Sequence, residues 1–237
     1  MEPVEYALMD AAEDRMWWYR ALHTRLLGCL DTINGSVLDA GCGTGGFLAY
    51  LKAHRPDLQA TGIEWAEQAA IRAHDKSRAP IARGSVNALP FADSSFDAAV
   101  SADVLCHGAV DATQTLQELG RVLKPGGGLI VNMPAYMWML SAHDRRVHNV
   151  RRQTAAQTTQ MLRQAGFRKI RARYWNGLLL PLMILQRKLL ATGSAASDVA
   201  PLPPWLDAIL HGTTEIERRL PVTLPFGGSV LAIAEKP

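Results

Sequence analysis

Cysteine is scarce in this chain: its 237 residues include three, Cys29, Cys42 and Cys106. An odd number with no Cys-x-x-Cys pair and no Cys/His ligand spacing argues against both a disulfide framework and a zinc site. No metal is expected. A surplus of one charge sign is also lacking, because 25 basic and 22 acidic residues leave a formal charge of +3. That balance does not suit a nucleic-acid binder, which concentrates basic charge on one face. No apolar run reaches the roughly 18 residues of a membrane-spanning helix. The nearest, over 178–190, is broken by Pro181, Gln186, Arg187 and Lys188. The start, MEPVEY, is acidic and is not the basic-then-apolar pattern of a secretory signal. A cytoplasmic protein is the expectation, monomeric or homodimeric.

What is present is a globular composition, 48% hydrophobic and 20% charged. Residues 5–30 carry Met16, Trp17, Tyr19, Leu22, Leu26 and Leu27 at helical spacing, which predicts one or two helices. From 36 onward, short apolar runs alternate with helical patterns. Strands are predicted over 36–40, 58–64, 80–83, 95–102 and 128–133, and helices over 47–54, 66–76 and 113–123. This alternation implies βαβ units and a parallel sheet. Beyond it, 136–153 reads as a polar segment rich in His and Arg. A helix is predicted over 154–165, a strand over 167–174, an apolar helix over 176–190, a Pro-rich loop over 192–204, a helix over 205–220 and a last strand over 228–234. The single domain divides into an N-terminal helical part (1–35), a ligand-binding core (36–135) and a C-terminal part with insertions and final strands (136–237).

The strongest local signal is VLDAGCGTGGF over 37–47. Gly41, Gly43 and Gly45 follow a buried strand and open a helix, in the first βα turn, where doubly wound sheets hold nucleotide-like ligands. No GK[ST] follows, so this is not a phosphate-binding loop. Glu64 ends the second strand about 20 residues further on, the position from which a carboxylate accepts ribose hydroxyls. A nicotinamide dinucleotide and S-adenosylmethionine both fit these two features.

The motif, with Asp39 two residues before the first glycine, resembles the first motif of class I S-adenosylmethionine-dependent methyltransferases. Three further segments are similar to that family: GSVNALPF over 84–91, SFDAAVSA over 95–102 and LGRVLKPGG over 119–127. The resemblance covers 36–133 and is nearest to the ubiquinone and menaquinone methyltransferase type. It implies a doubly wound, mostly parallel, seven-stranded α/β sheet with an N-terminal helical lid and inserted helices in its C-terminal half. It implies S-adenosyl-L-methionine as cofactor and S-adenosyl-L-homocysteine as product. Asp39 would orient the ligand's ammonium and Glu64 its ribose. Gly41, Cys42, Gly43 and Gly45 would form the turn around it, with Trp65, Val86, Asn87 and Asp103 completing the cofactor side. Where the family often has Asp after Gly84 this chain has Ser85, so adenine recognition falls to Ser85 or the Val86 backbone. Tyr19, in the aromatic run 16–20, would reach the cofactor from the lid.

On the acceptor side, His107 follows the fourth strand, and His143 and His148 lie in the segment after the fifth; these are the candidate bases. Trp17, Tyr136, Arg151 and Arg152 are candidates for holding the acceptor, the arginines through an anionic group. The apolar stretch 175–190 reads as core, as the wall of a hydrophobic tunnel, or as a surface resting on a membrane. The expected reaction is methyl transfer to an oxygen or nitrogen of a small molecule. A non-catalytic S-adenosylmethionine-binding subunit and a nicotinamide-dependent oxidoreductase are the competing readings.

Overall fold

The structure, a computed structural model, describes residues 3–186 and 202–237. Two helices, α1 (Pro3–Ala12) and α2 (Trp17–Gly28), precede β1 (Ser36–Ala40). Then follow α3 (Gly46–His54), β2 (Gln59–Glu64), α4 (Glu67–Ser77), β3 (Ile81–Arg83), β4 (Phe96–Ala102), α5 (Ala112–Val122) and β5 (Leu123–Pro134). The C-terminal part adds α6 (Ala142–Arg146), α7 (Ala155–Gln164), β6 (Arg168–Trp175), α8 (Leu180–Leu185), α9 (Pro204–Arg219) and β7 (Ser229–Glu235).

The seven strands form one sheet in the order β3-β2-β1-β4-β5-β7-β6. β1 to β5 run parallel; β7 is antiparallel to both β5 and β6. The doubly wound, mostly parallel architecture is therefore as expected. Alternation along the strands feeds two cores. Leu38, Ala99, Leu129 and Val131 point to the face covered by α5 and α7. Val37, Val100 and Ile130 point to the other, against Leu22, Leu26 and Leu48 of α2 and α3. Leu38 is fully buried, and truncating such a leucine to alanine costs about 2–5 kcal/mol. The outermost strand, β6, carries Arg168, Lys169, Arg171 and Arg173 along its exposed edge, charges that discourage pairing with another sheet.

Two expectations change in detail. The segment 136–153 is not simply a polar loop: it holds a 3₁₀ turn, Met137–Met139, and α6. Helix α8 is shorter than the predicted 176–190. It starts around Pro181, whose missing N–H suits a first turn, and 187–190 lie outside the described residues. So does most of the predicted 192–204 loop. Among the described residues, no helix is long and apolar enough to cross a membrane.

Strand order reverses between β1 and β4, where chains leave toward opposite edges. At such a switch point the carboxyl ends of the strands leave a crevice. The glycine turn, Glu64 and Asp103 all stand there.

Candidate functional site

The turn after β1 needs glycine at particular positions. Gly41 has φ 88, and a Cβ there would come within 2.5 Å of Val104. Gly45 has φ 88, and its Cβ would meet the Ala73 backbone at 2.6 Å. The turn is thus pressed between the segment after β4 and helix α4, with its backbone toward the crevice. Glu64, at the end of β2, receives the Gly43 N–H at 3.1 Å and the Ala66 N–H at 3.0 Å, which fix the carboxylate beside the turn. Asp39 is 3% exposed, and burial, with Glu64 and Glu13 nearby, pushes its carboxyl up to about 7. Among the described residues no side chain or amide donates a hydrogen bond to it.

A cavity of about 980 Å³ extends from this point, at the upper end of the range for small-molecule sites. Six carboxylates line it: Glu5, Glu13, Asp39, Glu64, Asp103 and Asp144. Three of them have a cation of the chain as partner. Glu5 pairs with Arg146 at 3.3 Å, Glu13 with Lys76 at 2.5 Å and Asp144 with Arg152 at 3.0 Å. Asp39, Glu64 and Asp103 have none among the described residues. The opposite part of the cavity is apolar, with Trp17, Leu179, Leu182, Met183, Leu206 and Leu210 in its wall.

Helix α1 covers the carboxylate end. Lys76 of α4 holds it through Asp10 at 2.7 Å and Glu13, and Glu13 also accepts from Thr44 at 2.7 Å. Arg146 of α6 holds its start through Glu5. Tyr6 reaches into the site and donates to Glu64 Oε1 at 3.2 Å. None of these contacts was read from sequence; the acidic cluster Asp10, Glu13 and Asp14, at the end of α1 and in the turn after it, was the available signal. Helix α2 has no side-chain cap of its own. Asp207 of α9 supplies one, accepting the Trp17 N–H at 2.7 Å. Trp17 is thereby set against Leu179 and Leu210 in the cavity wall.

Of the residues expected on the cofactor side, Tyr19, Cys42, Trp65, Ser85, Val86, Asn87 and Asp103 line the cavity with Asp39, Gly41, Gly43 and Glu64. Gly45 instead sits behind the turn. Ser85 Oγ accepts the Asn87 N–H at 3.1 Å, and Asn87 spends its amide on Ala109, Asp111 and Thr115. Asn87 therefore shapes the entry to α5, and leaves Ser85 and Val86 facing the crevice. Burial pushes the Tyr19 hydroxyl and the Cys42 thiol far up, so both are neutral.

Asp103 is half-buried and has φ 55, a left-handed conformation that Asp tolerates better than most residues. Its Oδ1 accepts from Asn132 Nδ2 at 2.9 Å, and Asn132 Oδ1 accepts from Trp175 Nε1 at 2.8 Å. An indole can only donate, so Asn132 must turn its carbonyl to Trp175 and its NH₂ to Asp103. Burial pushes the Asp103 carboxyl up to about 7. Asn132, fully buried within the apolar run 129–134 of β5, was the missed signal.

The candidate bases His107, His143 and His148 all line the cavity. Burial lowers His107 to about 4, so its ring is neutral at pH 7, hydrogen-bonded to the Val147 backbone. The arginines differ from expectation. Arg151 is absent from the cavity lining; its guanidinium donates to the carbonyls of Leu105, His107 and Val110, tying down the chain after β4. Arg152 reaches the lining but is 5% exposed and engaged with Asp144 and the Ala135 carbonyl. Burial of each charge demands such partners. Neither guanidinium is left for an anionic acceptor. Asp144 is likewise bound to Arg152 and to Ser141, whose capping box starts α6. Tyr136 also lies away from the cavity: after Pro134 it takes φ 59 and stacks on Trp138 and Tyr174. Among the described residues no group of three or more His, Cys, Asp or Glu side chains is placed to hold a metal ion.

Residues 38–131 match a family model described as methyltransferase domain. A protein of Mycolicibacterium smegmatis named as a probable S-adenosylmethionine-dependent methyltransferase is 32% identical over 174 residues, covering 69% of this chain and 63% of that protein. A ubiquinone/menaquinone biosynthesis C-methyltransferase of Geotalea daltonii is 34% identical over 106 residues, covering 41% and 45%. The chain spans about half the length of the curated relatives it matches. Among solved structures, a SAM-dependent methyltransferase of Thermotoga maritima superposes with a TM-score of 0.63 at 19% identity, covering 99% of this chain and 95% of that one.

Proposed function

We propose that this chain is an S-adenosylmethionine-dependent methyltransferase that methylates an oxygen or nitrogen of an apolar small molecule, a reading supported by the match of residues 38–131 to a methyltransferase domain and by the Mycolicibacterium smegmatis relative. The observation that carries this reading is one continuous cavity of about 980 Å³, with carboxylates that lack a cation among the described residues in one part of its lining and an apolar wall in another. S-adenosylmethionine supplies, when bound, a methyl group on a sulfonium centre. The residues of the chain fit that ligand: Asp39 is a buried anion in need of a cation, and the ammonium meets that need. Glu64 would accept the ribose hydroxyls once Tyr6 moves aside, and Ser85 and the Val86 backbone would hold the adenine. His107, neutral, stands on the acceptor side with His143 and His148.

The chain's main contribution is then to align the acceptor with the methyl group and exclude water, which lowers the barrier through proximity and orientation. The apolar wall of Trp17, Leu179, Leu182 and Leu210 selects a hydrophobic or lipid-like acceptor. With Arg151 and Arg152 engaged inside the fold, an anionic group is not what the site selects.

Calorimetric titration with S-adenosylhomocysteine tests the cofactor, and transfer of labelled methyl into apolar extracts tests the acceptor. Binding that is lost in Glu64→Ala, with label in an ether or amine product, is the expected result. Binding without transfer to any fraction supports a non-catalytic binding subunit, label on carbon overturns the oxygen-or-nitrogen reading, and binding of NADH in place of S-adenosylhomocysteine overturns the proposal.

A further inference from the structure

Three carboxylates face the cavity without a cationic partner among the described residues, and the cofactor accounts for two of them. Asp39 and Glu64 stand together beside the glycine turn, and Asp39 feels the charge of Glu64. Asp103 belongs to a different neighbourhood. The charged groups around it are Arg152 and Asp144 of the segment after β5, with Tyr19 of α2 and Cys106 of the following turn as the other titratable groups facing it. It therefore stands where the carboxylate end of the cavity gives way to the acceptor lobe.

Its construction is unusual for a residue that merely ends a strand. The backbone is left-handed at φ 55, and its own N–H is tied to the Asn132 carbonyl at 3.0 Å. Oδ1 is held by Asn132, which is held in turn by Trp175. Oδ2 receives no hydrogen bond from any described residue. Strain and a two-step relay of hydrogen bonds that together aim one carboxylate oxygen into a cavity are features of working sites.

Building on the proposed methyl transfer, we infer that Asp103 faces the position of the transferred methyl group and there receives the hydrogen of an oxygen or nitrogen nucleophile. The nucleophile's lone pair forms the bond to the methyl carbon, the carbon–sulfur pair stays on sulfur, and the O–H or N–H hydrogen leaves as a proton to Asp103 Oδ2, which later returns it to water. A carbon acceptor, having no such donor, would leave Oδ2 unpaired in a closed site. The Asp103 carboxyl, near 7, is suited to take up and release a proton at neutral pH. His107, lowered to about 4, is a much weaker proton acceptor.

Sinefungin tests this without any acceptor, because it carries a protonated amine in place of the methyl-bearing sulfonium. Calorimetry compares it with S-adenosylhomocysteine, and the ratio of the two affinities cancels Asp39 and Glu64. The wild-type protein is expected to bind sinefungin at least tenfold more tightly at pH 8, and Asp103→Asn to bind the two within threefold. The wild-type preference should also fade as pH falls from 8 to 6 and Asp103 protonates, a measurement that needs no variant. Failure of the wild type to bind S-adenosylhomocysteine overturns the methyltransferase reading itself. Binding of both ligands with no preference, or a preference that Asp103→Asn retains, overturns the role of Asp103 alone.

Discussion

The hydroxyl of Tyr6 donates to Glu64 at 3.2 Å, so a side chain from α1 sits on the carboxylate proposed to accept the ribose hydroxyls. With Ala66 and Gly43 also donating, Glu64 already accepts three hydrogen bonds. A carboxylate has about four accepting positions, so two ribose hydroxyls cannot join until Tyr6 leaves.

Tyr6→Phe is accordingly expected to bind S-adenosylhomocysteine about two- to fivefold more tightly, since nothing has to be displaced. Glu64→Ala is expected to weaken it by a factor of roughly 30 or more, from loss of two hydrogen bonds to a charged acceptor at about 1.5–3 kcal/mol each, reduced by competition with water. Titration calorimetry on the two variants decides. Weaker binding in Tyr6→Phe would mean that Tyr6 stays and touches the cofactor.

Asp39 offers a second test, in which stability and binding move in opposite directions. Its carboxyl titrates at about 7 in the folded protein, against roughly 3.9 in an unfolded chain. The folded state holds the extra proton between those values, so this group's contribution is present below about pH 4 and is lost as pH rises through 7. Asp39→Asn should therefore match the wild type near pH 4 and exceed it by about 1–3 kcal/mol at pH 8 in the unliganded state. The same variant should bind S-adenosylhomocysteine at least tenfold more weakly at pH 8. Thermal unfolding at the two pH values, with and without ligand, measures both. A variant less stable than the wild type at pH 8 would contradict the account of Asp39 as an uncompensated anion.

Lys76 holds α1 through Asp10 and Glu13, and Glu13 is 4% exposed. Lys76→Met leaves that buried carboxylate without its cation, at a cost of about 1–3 kcal/mol. The loss should be local. Hydrogen exchange is expected to accelerate over 5–14 while β1, β4 and β5 keep their protection. Uniform acceleration across the sheet would show that α1 is integral to the core.

The buried pair Asp144–Arg152 supplies a double-mutant test. Arg152→Met alone strands the Asp144 carboxylate and should cost about 3–5 kcal/mol. Asp144→Leu alone strands the guanidinium at similar cost. The double variant is expected to recover a large part of either loss, because the two charges exist to satisfy each other. Denaturant unfolding of the three variants measures the coupling, and additive losses would exclude it.

The parts of the site that lie within one short run of chain were legible in the sequence. The glycine turn after β1 and Glu64 at the end of β2 are fixed by their order and spacing within a βα unit, so reading them needed only the local pattern. The relay from Trp175 through Asn132 to Asp103 was not legible, because it joins the end of β6, across β7, to β5 and to the residue after β4, segments that only the sheet order brings together. Arg151 shows the same limit from the other side. A charged residue in a polar stretch reads as available for a ligand, yet three carbonyls of 105–110 had been left by the turn after β4 and required a donor. Tyr136 was misplaced for want of one torsion angle: φ 59 sends it onto Tyr174 and away from the crevice.

The two ends of the cavity are drawn from different stretches of chain. Asp39, the glycine turn, Glu64 and Ser85 come from β1 through the segment after β3, whereas the apolar wall comes from α2 and from α8 and α9, beyond residue 175. Changes in α8 and α9 can therefore accumulate without disturbing the β1 turn or the contacts of Glu64. A lineage carrying this arrangement can trade one acceptor for another while its donor chemistry stays the same. An engineer could do likewise, by diversifying Leu179, Leu182, Leu206 and Leu210 and leaving everything before β4 untouched.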